Sequence, residues 1–306
     1  MKTIFLTPLF LSCLLIKGKA QNTDSLVLRS IEIINRQIDS LELLGKHNEA
    51  LFLAHRAINE IQIVKDTQHL AYISLLMNYG YNSLFMAQYQ NVLAPLERAK
   101  SLLETRHDES MIYVDCLNYL GVYFQVVGNH LAAKPHLEKV RMLKANLLGT
   151  KTTSYARTMR SLGNLYRDIG EFEKAENAYH ETKKILEDLN YQKDITYALL
   201  LNDLGNFYRR FGRYNKAEEL LLASQAALVE RNQSKDAEYA MVMQNLAIVY
   251  YDQQIYDKAE QYFTEAARVH EGMPDIDSLR YAFVLNDLGD ALSVTMQLDM
   301  AEIVRR

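Results

Sequence analysis

One tyrosine recurs at nearly constant spacing along most of the chain, and this period limits the possible folds more than any other feature. Successive members lie 41, 42, 42, 42 and 42 residues apart, at Tyr72, Tyr113, Tyr155, Tyr197, Tyr239 and Tyr281. Each interval contains two stretches in which apolar residues are spaced three and four apart, as on one face of an α-helix. The period therefore predicts a repeat protein whose helix pairs bury their apolar faces against one another.

Glycines supply an independent marker of the same period. Eleven of the 12 glycines lie beyond residue 20, and nine of them occupy only two phases of the repeat. The first set is expected in the middle of a helix, where it would let the backbone of the partner helix approach closely, and comprises Gly80, Gly121, Gly163, Gly205 and Gly289. The second set is expected at helix ends in the left-handed conformation, and comprises Gly45, Gly128, Gly170 and Gly212.

The repeats share a pattern of apolar and small residues. In three successive repeats the pattern is formed by Met159, Leu162, Gly163, Tyr166, Ala175 and Tyr179; by Leu201, Leu204, Gly205, Tyr208, Ala217 and Leu221; and by Met243, Leu246, Ala247, Tyr250, Ala259 and Phe263. This pattern resembles that of the tetratricopeptide repeat family. The resemblance implies an all-α fold, a right-handed α-solenoid of stacked antiparallel helix pairs.

The repeat is longer than the family's usual ~34 residues. Its length and its phrases of the type LNxLG and YxKAE are similar to those of kinesin-light-chain-type arrays. Such arrays in bacteria often precede a CHAT-type protease domain or a signalling domain. The resemblance covers nearly the whole chain beyond residue 20.

The sequence divides into a short leader and the array. Residues 1–20 are predicted to form a signal peptide, and residues 21–306 the array, with repeats starting near residues 30, 72, 113, 155, 197, 239 and 281. The first repeat, from about residue 24 to 71, is degenerate. The last is expected to be incomplete, with its second helix beginning near Leu298.

The leader has the three parts of a secretory signal. A lysine precedes a 13-residue apolar stretch from Ile4 to Ile16, and Gly18 and Ala20 provide small residues before a cleavage point. The apolar stretch is shorter than the ~20 residues of a membrane span. We therefore expect export to the periplasm or cell exterior, with no membrane span after the signal peptide.

Charge and cysteine content limit the partners and the means of stabilisation. The whole chain has a net charge of −4, and removal of the leader's three lysines leaves 31 basic and 38 acidic side chains, a net charge of −7. This balance argues against nucleic acid as a partner. Of the two cysteines only Cys116 lies beyond the leader, so no internal disulfide can form in the exported chain.

No catalytic or metal-binding pattern accompanies the repeats. The eight histidines are scattered, and no two are three or four residues apart, as a helical metal-binding pair requires. Cys116 is interpreted as a packed apolar residue, and most tyrosines as packing residues with hydroxyl groups at the edge of the core. Phrases such as Lys174-Ala175-Glu176 are interpreted as solvated helix surface. We therefore predict no enzymatic activity, cofactor or metal.

The resemblance implies a concave groove lined by the first helix of each repeat. Its candidate peptide-binding residues are amides and arginines at a few fixed phases of the repeat: Asn118, Arg157, Arg160, Asn164, Arg167, Asn202, Asn206, Arg209, Arg210, Gln244 and Asn286. Amides and guanidinium groups can hydrogen-bond the backbone of an extended peptide. The alternative is that these side chains bond one another or the adjacent helix. The five arginines predict a locally basic groove that favours an acidic segment or a C-terminal carboxylate.

These features predict an exported protein-interaction scaffold that binds a peptide or protein segment in its groove. The alternative is the sensing or substrate-docking half of a larger protein, with a CHAT-type protease or membrane signalling domain beyond Arg306. The oligomeric state is left open by the sequence.

Overall fold

The computed structural model describes residues 20–61, 69–273 and 278–305, so the predicted signal peptide, apart from Ala20, lies outside the described residues. Thirteen α-helices and one 3₁₀ turn, Tyr89–Asn91, account for the regular structure of these ranges. In chain order the helices are α1 Ala20–Leu43, α2 His47–Ile61, α3 Leu70–Phe85, α4 Leu93–Thr105, α5 Met111–Val126, α6 His130–Leu148, α7 Thr153–Asp168, α8 Phe172–Asp188, α9 Ile195–Arg210, α10 Tyr214–Glu230, α11 Ala237–Asp252, α12 Tyr256–Glu271 and α13 Ser278–Arg305.

The chain forms two compact units, which we call unit 1, up to Leu148, and unit 2, from Gly149 onward. Unit 1 contains the pairs α1/α2, α3/α4 and α5/α6. Unit 2 contains α7/α8, α9/α10 and α11/α12, followed by α13, which packs on α12. The predicted all-α fold of stacked antiparallel helix pairs is confirmed in each unit. The repeats of the two units were predicted as one array, and the division after residue 148 was not anticipated.

The turn inside each helix pair depends on one left-handed residue. Gly45, Gly128, Gly170 and Gly212 have φ angles of 70°, 77°, 84° and 68°, which confirms the prediction for this set. Two further residues at the same phase, Ala87 and Gln254, adopt φ angles of 54° and 63° without being glycine. The tertiary packing of each pair therefore imposes the turn even where the residue disfavours it.

A second left-handed position ends the second helix of several repeats. His107, Gly149, Asn190 and Asn232 have φ angles of 52°, 78°, 59° and 58°, and they lie 41 or 42 residues apart. Asparagine tolerates this conformation better than most residues other than glycine. The sequence analysis missed this position because only one of its four members is a glycine.

The mid-helix glycines make room for a side chain of the partner helix. A Cβ atom added at Gly80, Gly121, Gly163 or Gly205 would lie 2.6 to 2.7 Å from Leu96, Leu137, Tyr179 or Leu221, in each case the residue sixteen positions later. The expectation that these glycines serve close approach of two backbones is thus corrected. The close neighbour is a large side chain, and only at Gly205 is a backbone atom, the carbonyl oxygen of Ala217, within 3.3 Å.

The packing predicted for the tyrosines and for Cys116 is confirmed. Tyr155, Tyr179 and Tyr208 expose 3%, 0% and 1% of their surface. Cys116 is fully buried, and its Sγ atom lies 3.5 Å from the backbone oxygen of Leu96. Burial raises the pKa of the Cys116 thiol to about 12, so the thiol stays protonated and unreactive at neutral pH.

The last helix departs from the predicted pattern. Helix α13 runs without a break from Ser278 to Arg305, so the prediction of a second helix beginning near Leu298 is wrong. The position that elsewhere carries the left-handed turn residue is Met296. Methionine is a good helix former, and a helical continuation is therefore favoured there over a left-handed turn.

Candidate functional site

The predicted groove residues of unit 2 lie on its first helices α7, α9, α11 and α13, whose surface we call the first-helix face. Near its start, Arg160 and Asp203 form an ion pair with 2.9 Å between Nε and Oδ2. Asn164 donates from Nδ2 to the same oxygen at 3.1 Å. The hydroxyl group of the buried Tyr179 donates to Oδ1 of Asn164 at 2.6 Å. These four side chains join α7, α8 and α9 in one polar network.

Asp203 is the centre of this network. Burial raises the pKa of its carboxyl group, while Arg160, Asn164 and Arg167 lower it without fully compensating. A buried carboxylate is stable only when its partners remain in place. Arg160 and Asn164 therefore have a structural role in joining successive repeats, whatever else they bind.

Other predicted residues make the same kind of contact from one repeat to the next. Arg209 Nη1 lies 2.8 Å from Asp252 Oδ2, and Gln244 Nε2 donates to Asp287 Oδ2 at 2.9 Å. Asn202 is buried and accepts from Asn245 at 2.7 Å. In each contact the partners are 43 residues apart, one more than the repeat period. The amide and guanidinium groups thus bond neighbouring helices, which was the alternative reading of the ladder.

The remaining arginines differ in their surroundings. Arg167 Nε lies 2.9 Å from Asp168 Oδ1, whereas Arg157 is exposed and donates to the hydroxyl oxygen of Thr196 at 3.3 Å. The guanidinium of Arg210 lies over the ring of Phe172, 5.7 Å from its centroid. Among the described contacts, Arg160, Arg167 and Arg209 are paired with aspartates, and this pairing offsets much of the positive charge predicted for the groove.

Three of the predicted amides have more exposed surroundings. Asn206 is half-buried on α9, Asn286 is exposed on α13, and Asn118 is half-buried on α5 of unit 1. The described contacts include no side-chain hydrogen bond of these three residues. The first-helix face of unit 2 therefore combines fixed polar groups with at least one amide, Asn206, that can still bond a ligand.

An open cleft borders this face between α11, α12 and α13. It is lined by Ile248, Tyr251, Phe263, Asp287 and Asp290. Phe263 is buried at its base, while Asp290 is exposed at its rim. The cleft can therefore enclose an apolar stem and present a carboxylate to a donor group at its end.

Sequence reasoning missed the aspartates as partners of the predicted ladder. Asp203 and Asp287 directly follow the ladder residues Asn202 and Asn286. Opposite charges at a spacing of 43 residues were the signal that could have revealed these pairs. A ladder position considered within its own repeat does not show it.

The Lys-Ala-Glu phrases make contacts between repeats and are more than a solvated surface. The hydroxyl group of Tyr208 donates to Glu176 of the preceding repeat at 2.8 Å, and the ammonium group of Lys216 lies 3.8 Å from the centre of the Tyr208 ring. The equivalent residues of the next repeat repeat this arrangement: Tyr250 donates to Glu218 at 2.6 Å, and Lys258 lies 4.6 Å from the Tyr250 ring. Each phrase therefore clamps one tyrosine, through a hydrogen bond and a cation–π contact.

Other kinds of site were searched for in the same residues. The described parts of the chain contain no group of three or more His, Cys, Asp or Glu side chains that could hold a metal ion. Within those parts, no helix combines the length and apolar character that crossing a membrane requires.

Comparison with solved structures shows a common fold. The chain is similar to kinesin light chain nearly identical TPR-like repeats from Podosopora anserina, at 16% identity and a TM-score of 0.57, over 67% of this chain and 97% of that one. The apo form of the quorum sensor NprR from B. thuringiensis matches with 13% identity and a TM-score of 0.64, over 94% and 73%. A Rap protein complexed with Competence and Sporulation Factor matches with 15% identity and a TM-score of 0.57, over 87% and 76%.

Sequence comparison places the chain in a family. No curated protein matches it. The family profile described as Tetratricopeptide repeat, however, matches residues 113–188 and 196–272, which together make up half of the chain. With the stacked helix pairs of both units, this match shows that the protein belongs to the tetratricopeptide repeat family, with repeats of the kinesin-light-chain type.

Proposed function

We propose that this protein is a protein-interaction scaffold that binds an extended peptide or protein segment on the first-helix face of unit 2. The observation that carries the proposal is the combination of fixed polar side chains on this face with the adjoining cleft. Because contacts between repeats already hold these polar groups, little conformational entropy is lost when a segment binds them.

Each part of the face has a role in this proposal. Asn206 hydrogen-bonds the backbone of the segment, since a side-chain amide can both donate and accept. The cleft lined by Tyr251 and Asp290 takes one side chain with an apolar stem and a donor group. The predicted preference for an acidic stretch or C-terminal carboxylate then depends on Arg157 and Arg210, which lack an aspartate partner among the described contacts.

The structural comparisons support this proposal only through the fold. One similar structure is a Rap protein in complex with Competence and Sporulation Factor, and another is a quorum sensor. Identities of 13% to 15% carry no residue-level correspondence. They show that helix-pair arrays of this shape include proteins with partners of this kind.

The test uses residues that do not join repeats through ion pairs. The triple variant Arg157→Ala, Asn206→Ala, Asp290→Ala and the wild-type protein are used as baits, and bound proteins are identified by mass spectrometry. A control variant, Lys184→Ala with Glu219→Ala, changes exposed residues of the second helices α8 and α10. We expect the control to retain partners that the triple variant loses by on the order of tenfold, since each lost hydrogen bond contributes about 1 kcal/mol. Equal recovery by all three baits would contradict the proposed face.

Export belongs to the same proposal. We infer from the leader of residues 1–20 that the scaffold acts in the periplasm or outside the cell. Cell fractionation, with the mass of the mature chain, tests this inference, and a cytoplasmic chain that retains Met1 would contradict it. The alternative of a larger protein with a protease or signalling domain stays a prediction, which the size of the native polypeptide on an immunoblot would test.

A further inference from the structure

The first helix of each repeat in unit 2 has one face that is normally covered by the second helix of the same repeat. In α11 this face consists of Met243, Leu246, Ala247 and Tyr250, which expose at most 3% of their surface. The equivalent residues of α7 and α9 are buried in the same way, by α8 and α10. The covering helix contributes a buried alanine and, four residues later, a large side chain, as in Ala259 and Phe263 of α12.

On α13 the same face is uncovered. Leu285, Leu292 and Met296 expose 44%, 38% and 67% of their surface, and a Cβ atom added at Gly289 would have no neighbour within 4 Å. The opposite side of α13 is packed, since Val284 and Ala291 are fully buried. We call the exposed residues Leu285, Gly289, Leu292 and Met296 the α13 stripe. Their spacing of 4, 3 and 4 residues puts them on one side of the helix.

The sequence that should cover this stripe is present on the same helix. Residues 298–302 read LDMAE, which matches the YDKAE, YNKAE and FEKAE phrases that begin the second helices α12, α10 and α8. Because α13 continues as one helix through Met296 to Arg305, this segment cannot turn back onto the stripe of its own chain. A second copy of the chain can supply it.

We propose that two copies of this chain associate through α13, the segment 298–305 of each copy packing on the α13 stripe of the other. The contact reuses the packing of first and second helices found within each repeat, and it is self-complementary, as a two-fold symmetric interface requires. The register of the internal pairs, in which a mid-helix glycine faces the residue sixteen positions later, places position 305 of one copy opposite position 289 of the other.

The first test measures the mass of the full chain by light scattering after size-exclusion chromatography. We expect a dimer, and we expect Leu292→Asp to weaken association by on the order of tenfold or more, because a charge would be buried without a partner. The matched control is Val229→Asp, which changes a residue of α10 with 49% exposure that lies outside the stripe. Circular dichroism should show the same helical content for both variants. A wild-type monomer, or a dimer insensitive to Leu292→Asp, would overturn the proposal.

The second test distinguishes exchange between copies from folding back within one copy. Gly289→Cys and Arg305→Cys are made in separate chains carrying different tags, mixed, and oxidised. We expect a disulfide-linked heterodimer, because the two positions face each other only between copies. If the mixed single variants do not crosslink while the double variant forms an internal bridge as a monomer, then α13 bends within one chain and the proposal is wrong.

Discussion

Unit 1 and unit 2 are built from the same kind of helix pair, but different side chains join successive pairs. In unit 2 charged groups make these contacts, as in the Arg160–Asp203 pair and the hydrogen bond from Tyr208 to Glu176. In unit 1 the contacts use neutral amides: Asn78 donates to Asn35 at 3.4 Å, and the buried Asn82 donates to Glu42 at 2.6 Å.

The tyrosine clamp shows the difference at a single position. The residue of α5 equivalent to Tyr166 and Tyr208 is Phe124, whose ring lies 5.5 Å from that of His136. No hydroxyl is present there to meet a carboxylate. The comparison teaches that the apolar residues set the period of the helix pairs, since they are common to both units, whereas the polar contacts can be exchanged without loss of the fold.

The largest predicted difference concerns the mid-helix glycines. Gly163→Ala would place a Cβ atom 2.6 Å from the Tyr179 ring, which is rigid and held by its hydrogen bond to Asn164. Gly121→Ala meets Leu137 at the same distance, but a leucine can change rotamer. Overpacking typically costs 1–3 kcal/mol, and the gain in helix propensity returns about 1 kcal/mol. We expect losses of about 2 kcal/mol for Gly163→Ala and under about 1 kcal/mol for Gly121→Ala in urea denaturation. Equal losses would contradict the distinction between ring and leucine.

The tyrosine clamp predicts a smaller effect that differs between the units. Tyr208→Phe removes the hydroxyl group that donates to Glu176 and should lower the free energy of unfolding by about 1 kcal/mol. The reciprocal change in unit 1, Phe124→Tyr, should give no gain, because Val92 stands where unit 2 has its glutamate. Urea denaturation of both variants checks this expectation. A stabilised Phe124→Tyr protein would show that a carboxylate is not needed.

The helix caps predict the smallest effect and a difference in its pH dependence. Asp194 accepts from the N–H of Thr196 at 2.8 Å and caps α9, whereas Ser110 caps α5 with a neutral hydroxyl group. Burial raises the pKa of Asp194, but the hydrogen bonds with Thr196 outweigh it and bring the pKa below the ordinary value of 3.8. We expect Asp194→Ala and Ser110→Ala each to cost about 1 kcal/mol at pH 7.

The sign of the pH effect follows from the lowered pKa of Asp194. A carboxyl group whose pKa is lower in the folded state stabilises the fold above its unfolded-state pKa, and this contribution disappears as the pH falls through the folded-state value. The effect of Asp194→Ala should therefore shrink as the pH is lowered from 5 to below 3.8, while that of Ser110→Ala should not change. Unfolding of both variants over this range provides the measurement. A constant difference for Asp194→Ala would mean that the carboxylate charge is not part of the cap.

Much of the fold could be predicted because the repeat repeats its own evidence. The phase of Gly170 and Gly212 located the turns, and that of Leu162 and Leu204 located the buried faces. The candidate site was less predictable. Asn202 and Arg160 share a phase, yet one is buried against Asn245 and the other pairs with Asp203, since their partners come from the next repeat.

The sequence by itself determined the helix pairs, their period and most of their turns, because these depend on local propensity and on apolar spacing within about forty residues. The tertiary structure alone decided which polar groups neutralise one another across repeats and where the chain divides into units. It also decided that α13 continues past Met296 and leaves its stripe exposed. The physical reason is that these outcomes depend on which side chains and helices meet in space, a relation that a one-dimensional pattern does not specify.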